Sequence, residues 1–298
     1  MTDPVLKLGT RASPLALAQA EMVRNALLAA HGWSADNVQI VAMTASGDRV
    51  LDRPLADIGG KALWTKELDR ALAEGDIDFA VHSMKDVETF RPASLAIAAM
   101  LPRADVRDRL IGAPSIAGLA QGARVGTSSP RRAAQLMRLR PDLKIVLFRG
   151  NVATRLARLQ AGEADATLLA AAGLDRLGQS DIGTAIAEDV MLPAPAQGAI
   201  GIETLAANDR VRALLAPINH DDTFACVMAE RQFLAGLQAG CHSPVAAQAK
   251  RIDGQIWLRG EILSEDGREC EAGSGDDPAA LAAALLDRAS PALRAIFG

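Results

Sequence analysis

Cysteine is scarce in this chain, with three in 298 residues: Cys226, Cys241 and Cys270, spaced 15 and 29 residues apart. That spacing fits neither a zinc knuckle nor a disulfide framework, so free thiols and no metal centre are expected. Long apolar runs are missing as well. The opening Met1-Thr2-Asp3-Pro4 has none of the basic start, apolar run and small-residue cleavage site of a secretory leader. A cytoplasmic protein with no membrane partner is the expectation. There is no basic excess, since the formal charge is −4, and no helix-turn-helix with a basic face is found. Bulk attraction to nucleic acid is therefore not expected, and any cationic site must be local. Repeat arrays and low-complexity tracts are also absent.

Against these absences stands ample material for cores. Apolar residues make up 49% and charged residues 23% of the chain, ordinary values for a globular protein. The length exceeds the usual single domain of about 100–200 residues, so two or three domains are expected. Of 32 basic residues only six are lysine and 26 are arginine. Planar arginine is the better fork for a carboxylate or phosphate. Codon usage in a GC-rich genome explains much of that bias, so only the placement of particular arginines carries information.

The chain opens with an apolar strand, Val5-Leu6-Lys7-Leu8, then Gly9-Thr10-Arg11-Ala12-Ser13-Pro14 and a helix with Leu15, Met22, Val23, Ala26, Leu27 and Ala30 on one face. Ser13 suits the N-cap, and Pro14 the first helical position. Strands are expected at Val38-Gln39-Ile40-Val41 and Phe79-Ala80-Val81-His82, with a helix around Thr65 to Ala73 between them, ended by Gly75. Near residue 124 the grammar restarts: Arg124-Val125, then Gly126-Thr127-Ser128-Ser129-Pro130, then a helix from Arg131 to about Arg140. The echo of Gly-Thr followed by Ser-Pro puts a capped helix N-terminus at the carboxyl end of a strand twice, where open α/β sheets bind ligands and backbone N–H groups hold anions. Two such lobes, facing each other across a cleft, are expected. Lys144 to Phe148 and Asp165 to Ala170 read as further strands, and Ala199 to Ile202 as a strand crossing back to the first lobe. From about Asn219 a helix, strands turned at Asp253-Gly254 and Asp266-Gly267, and a last helix from Pro278 to about Leu286 suggest a small α+β part. The domains are drawn as 1–100 with 195–218, 101–194, and 219–298.

Arg131 and Arg132 fall in a helix's first turn, where the macrodipole disfavours a cation by about 0.3–1 kcal/mol. Either a bound anion offsets that cost or both side chains reach solvent. Arg11, Arg149 and Arg155 share the strand-to-helix position, which makes coincidence harder to maintain. In Val81-His82-Ser83-Met84-Lys85-Asp86 a strand ends and a lone carboxylate follows a lysine that favours its ionised form. It is either a group that stabilises positive charge or a solvated loop residue; His82 reads as a satisfied core residue. Cys241, in Gly240-Cys241-His242-Ser243-Pro244, is a loop thiol able to act as a nucleophile or present incidentally. Cys226 and Cys270 read as small core hydrophobes. Gly59-Gly60-Lys61-Ala62-Leu63-Trp64 lacks Walker spacing, so it is a loop bringing Lys61 and an aromatic to the site or a packed turn.

Together these segments resemble the porphobilinogen deaminase (hydroxymethylbilane synthase) family along essentially the whole chain. The resemblance is carried by Arg11-Ala12-Ser13-Pro14-Leu15-Ala16-Leu17, Gly59-Gly60-Lys61, Val81 to Val87, Gly126 to Arg132, Arg149-Gly150-Asn151-Val152 with Thr154-Arg155, Gln197-Gly198-Ala199, and Gly240-Cys241 with Pro244. It implies two lobes like those of periplasmic binding proteins plus the small third domain. It also implies a dipyrromethane cofactor held as a thioether on Cys241. The implied reaction joins four porphobilinogen molecules head to tail, each losing ammonia, before water releases the linear tetrapyrrole hydroxymethylbilane. By resemblance Asp86 is the catalytic group. Lys85, Ser129, Arg131, Arg132 and Arg149 accompany Cys241 in holding the cofactor, and Arg11, Ser13, Arg155, Arg176, Lys61, Trp64 and Gln197 hold substrate. A monomer is expected.

Three positions depart from the family pattern. Glu88 stands where proline is usual, Trp64 where phenylalanine is usual, and Asp57 where a basic residue is often found. Other classes compatible with the motifs are a non-enzymatic anion receptor, the effector half of a transcription regulator and a cysteine hydrolase. The first would have no use for Cys241, the second needs the missing helix-turn-helix, and the third needs a histidine beside the thiol.

Overall fold

Both strand-to-helix junctions expected from the Gly-Thr and Ser-Pro echo are present, each at the end of a parallel strand. The computed structural model describes residues 5–44, 65–240 and 242–297. They divide into two compact units, one of the described residues up to Ala104 together with Gly198–Phe224, the other of Asp105–Gln197 together with the residues from Ala225 on.

In the first unit, strands β1 (Leu6–Arg11), β2 (Val38–Met43), β3 (Phe79–Ser83) and β4 (Leu95–Met100) share a sheet with β10 (Ile200–Leu205), in the order β2-β1-β3-β10-β4. The first three are mutually parallel, and β10 inserts antiparallel to both β3 and β4. The crossing-back strand expected near Ala199 is therefore β10, and it pairs directly beside β3. Leu6, Leu8, Phe79, Val81 and Ile202 are buried on this sheet. They pack with Ala20, Val23 and Leu27 of the helix Pro14–His31, which Gly32 ends at φ 67. The buried face of that helix is Ala16, Gln19, Ala20, Val23 and Leu27, rotated from the expected one, and Met22 is 42% exposed. Ala16 and Ala20 share that face with Val23 and Leu27, and their small side chains let the helix lie close to the strands.

The second unit repeats the scheme. Its strands are β5 (Asp108–Ile111), β6 (Arg124–Gly126), β7 (Lys144–Val146), β8 (Ala166–Ala170) and β9 (Thr184–Ala185), in the order β7-β6-β8-β5-β9. Three parallel strands again lead to one antiparallel strand, here β5. A third sheet, β11 (Val245–Ile252), β12 (Gln255–Leu263) and β13 (Cys270–Gly275), is antiparallel throughout. Its first hairpin turns at Asp253 (φ 49) and Gly254 (φ 83), the left-handed pair that a tight Asp-Gly turn needs. Phe233, Leu258, Ile262, Ala282 and Leu285 form its core with the helices Asp221–Gly236 and Pro278–Arg288. Cys226 is buried there as expected, whereas Cys270 is half-buried and burial raises its thiol pKa.

The third sheet packs on the helix Pro130–Leu139 of the same unit. Gln135 Nε2 donates to Glu261 Oε2 at 3.0 Å. Gly267 sits at φ +70, where an added Cβ would lie 2.2 Å from the Ala134 carbonyl oxygen. Two five-stranded α/β sheets and a small three-stranded α+β part are thus the observed architecture. Strands β4, β5 and β9 were not expected. β5 opens on Asp108, a residue poorly suited to strands, and β9 is two residues long.

Candidate functional site

In the first unit the site is built where β1 and β3 end. Ser13 Oγ accepts from the Ala16 amide at 3.3 Å and caps the helix Pro14–His31, and Arg11 ends β1 two residues before that cap. β3 delivers His82 and Ser83 and runs into a single 3-10 turn, Met84–Asp86. Arg11, Ser13, Gln19, Thr65, His82, Ser83 and Asp86 line one pocket. The structure therefore brings together three of the expected residues, Arg11, Ser13 and Asp86. Lys85 is half-buried in the same turn. Gln19 and Ser83 exchange hydrogen bonds at 2.7 and 3.1 Å across the pocket wall. The turn is seated by the Met84 amide, which donates to Ala199 O at 3.1 Å, and by the Met84 side chain, whose Sδ lies 2.0 Å from where a Cβ on Gly201 would be. His82 is a buried residue, as expected, with Nε2 3.2 Å from Glu203 Oε2. Burial alone would raise the pKa of Glu203, but His82 and Arg91 beside it bring it down to about 2.

In the second unit Ser129 caps the helix Pro130–Leu139, its side chain accepting from the Arg132 amide at 3.4 Å. Arg131 and Arg132 do not reach solvent, being 3% and 5% exposed. Their first-turn charge is offset from within the chain. Arg131 Nη2 donates to Asp108 Oδ2 and Arg132 Nη2 to Asp108 Oδ1, both at 2.7 Å. Burial pushes the Asp108 carboxyl upward, but the two guanidinium groups overcome it and hold it well below the usual carboxylate range. The sequence reading missed Asp108, whose one signal was a charged residue opening an otherwise apolar strand. Gln197, expected to contact substrate, donates its amide nitrogen to Val106 O at 2.7 Å and Asp108 Oδ1 at 2.9 Å. It buttresses the carboxylate, since a buried acceptor must be satisfied.

Arg155 folds back from its helix, donating through Nε to Gly150 O at 2.9 Å and through Nη2 to Ser128 Oγ at 3.4 Å. It thereby joins the loops that follow β6 and β7. Arg149 is 6% exposed and lies near enough to His242 to act on its charge. Burial first, and the Arg149 charge second, lower the pKa of His242. Gly240 and Ser243 close a turn through Gly240 N to Ser243 Oγ at 3.2 Å and Ser243 N to Gly240 O at 3.1 Å. Arg176 ends the helix Ala171–Arg176 after β8, with its pKa lowered to about 10 by burial. Cys241, Lys61 and Trp64, like Asp57, lie outside the described residues.

The second unit's donors suit a group carrying several carboxylates. Arg131 Nε and Arg132 Nε are buried and have no hydrogen-bond partner among the described residues. With Asp108 supplying one negative charge against two guanidinium groups, the cluster keeps a net positive charge. Each unit thus sets arginine at a capped helix start, and the first adds a carboxylate at the end of β3.

Comparison with known proteins makes the family definite. Residues 6–213 match the model described as "Porphobilinogen deaminase, dipyromethane cofactor binding domain", and residues 224–288 match "Porphobilinogen deaminase, C-terminal domain". A porphobilinogen deaminase of Sphingopyxis alaskensis is 57% identical over 306 aligned residues, covering 99% of this chain and 97% of that protein. One of Paracoccus denitrificans is 51% identical over 290, covering 96% and 93%. Among solved structures, the periplasmic VFT2 domain of Bordetella pertussis BvgS is similar at TM-score 0.41 and 17% identity, covering 74% of this chain and 91% of that one. The chain belongs to the porphobilinogen deaminase family. The expected tetrapyrrole-building transferase with a dipyrromethane cofactor follows from that membership.

Proposed function

We propose that this protein condenses four porphobilinogen molecules into hydroxymethylbilane on a dipyrromethane primer attached to Cys241, with Asp86 as the catalytic carboxylate. The observation that carries the reading is the pocket that sets Asp86 beside Arg11 and Ser13 at the ends of β1 and β3. Each substrate pyrrole carries an acetate and a propionate, so the ligand presents carboxylates to guanidinium forks. Arg131, Arg132 and Arg149 would hold the cofactor's acid groups, the first two pre-aimed by Asp108. When bound, the cofactor supplies a tethered nucleophilic pyrrole carbon.

Loss of ammonia from the aminomethyl carbon of porphobilinogen leaves positive charge shared onto the ring nitrogen, and the Asp86 carboxylate stabilises that charge. After the new carbon–carbon bond forms, the carboxylate can take up the ring proton displaced at the attacked carbon. The same reading has the protein as a cytoplasmic monomer without a nucleic-acid partner, in keeping with a formal charge of −4.

Intact-protein mass spectrometry, followed by peptide mapping, tests the primer: the Cys241 peptide is expected to carry two linked pyrroles. An unmodified mass would remove Cys241 from this role. Asp86→Asn is expected to keep the circular dichroism spectrum and the adduct while turnover of porphobilinogen falls about 100-fold or more. Wild-type turnover in that variant would remove Asp86 from the chemistry.

A further inference from the structure

The segment that carries Lys85 and Asp86 leaves the first sheet at Ser83 and returns to it at Leu95. One buried carboxylate holds both ends of its functional part. Glu203, on β10 and 1% exposed, has Oε2 3.2 Å from His82 Nε2 at the start. At the far end Arg91 Nε donates to Glu203 Oε1 at 2.9 Å and Arg91 Nη2 to Glu203 Oε2 at 2.7 Å. Arg91 spends its other donors nearby: Nη2 on Asp69 Oδ1 at 2.5 Å, Nη1 on Glu88 Oε2 at 2.7 Å and on Thr65 Oγ1 at 3.1 Å. Five N–H groups meet five acceptor contacts, so the guanidinium is saturated and its orientation fixed in every direction. Glu88, one of the three departures from the family pattern, accepts on its second oxygen, Oε1, from Thr65 Oγ1 at 3.1 Å.

Two members of this hub, Thr65 and His82, also line the pocket that holds Asp86. The clamp is therefore continuous with the pocket wall. Nearly buried at 9%, Arg91 is shielded from the solvent screening that makes surface pairs weak. Charge-assisted bonds from Arg91 fix the far end of the segment, and at its start the buried His82 ring packs 3.2 Å from the same carboxylate, so a group carried between them has little freedom to shift.

From this geometry we propose that Arg91 and Glu203 are positioning residues for the transfer reaction, fixing the segment from Ser83 to Arg91 so that Asp86 is held at the reacting atoms. The proposal rests on the reading of Asp86 given above. Arg91 itself is not among the residues that line the pocket around Asp86. Its loss should therefore act on the chemical step more than on binding by Arg11 and Ser13.

The test uses purified holoenzyme, porphobilinogen as substrate, and the variants Arg91→Gln and Arg91→Lys. Arg91→Gln is expected to keep the covalent adduct and the folded spectrum, to lower kcat about 10- to 100-fold as expected for a misplacement near 1 Å, and to leave KM within a few-fold of wild type. Arg91→Lys, which retains the charge and some of the donors, should return part of the lost kcat. A folded Arg91→Gln enzyme with wild-type kcat, or one whose only change is a lower Tm, overturns the proposal. Should Arg91→Gln fail to fold, Glu88→Gln and Thr65→Val remove the outer tethers one at a time. Graded kcat losses then support the clamp, and unchanged kcat in both overturns it. An inactive wild type sinks the functional reading as a whole, whereas an active wild type with an equally active Arg91→Gln sinks this inference alone.

Discussion

Asp108 shows how far a single side chain can redirect an argument built on charge. Two arginines at a helix N-terminus invite a bound anion, and an anion is there, but it belongs to the chain. Asp108 is 2% exposed and bonded to both guanidinium groups and to Gln197. Removing one partner of a buried ionic cluster leaves the rest uncompensated, at a cost of about 3–5 kcal/mol. Asp108→Asn keeps the shape and deletes the charge, so the unfolding free energy from urea titration should fall by an amount in that range, with a lower midpoint. A midpoint within experimental scatter of wild type would mean the cluster is hydrated or re-paired in solution. The sequence offered the arginines plainly and the aspartate hardly at all, because a partner across 23 or 24 residues leaves no local pattern.

At the scale of elements, the turn Met84–Asp86 depends on a neighbour far along the chain. β10 lies against β3 in the register Gly201 to His82, and Gly201 leaves the space that the Met84 side chain fills. Met84 is 1% exposed, so it has no open side to move toward. Gly201→Ala is expected to cost about 1–3 kcal/mol by overpacking and to lower turnover by tilting the turn. Met84→Ala placed in the Gly201→Ala chain should return part of the stability, since the new methyl then enters the space the methionine leaves. A double-mutant cycle in urea reads this coupling, and strict additivity would refute it. That β10 returns to the first sheet was legible from the apolar run after Pro195. Its partner strand and register were not, because pairing across more than 100 residues is set by the fold.

For the molecule as a whole, the buried carboxylates set the acid limit of stability. Glu203 has its pKa lowered from 4.5 to about 2, and Asp108 is held well below its ordinary value. Groups with depressed folded pKa values contribute stability that is fully present above the unfolded value and is lost as pH falls through the folded one. Unfolding free energy should therefore be level above about pH 5 with respect to these groups, and should fall as pH drops from about 4.5 toward 2. Urea titrations at a series of pH values check this, and a flat profile down to pH 2 would contradict the assignment of both clusters.

The sequence by itself determined the parallel strands and the helices that follow them at the two capped junctions, Ser13 and Ser129, the tight turn at Asp253-Gly254 and the family. These are local matters, fixed by residues within a few positions of one another through capping, turn chemistry and apolar spacing. Only the tertiary structure decided that Asp108 answers Arg131 and Arg132, that Gln197 faces inward, and that Glu203 and Arg91 clamp the segment bearing Asp86. Electrostatic pairing acts through space and is strongest where water is excluded, and which groups lose their water together is a property of the folded chain.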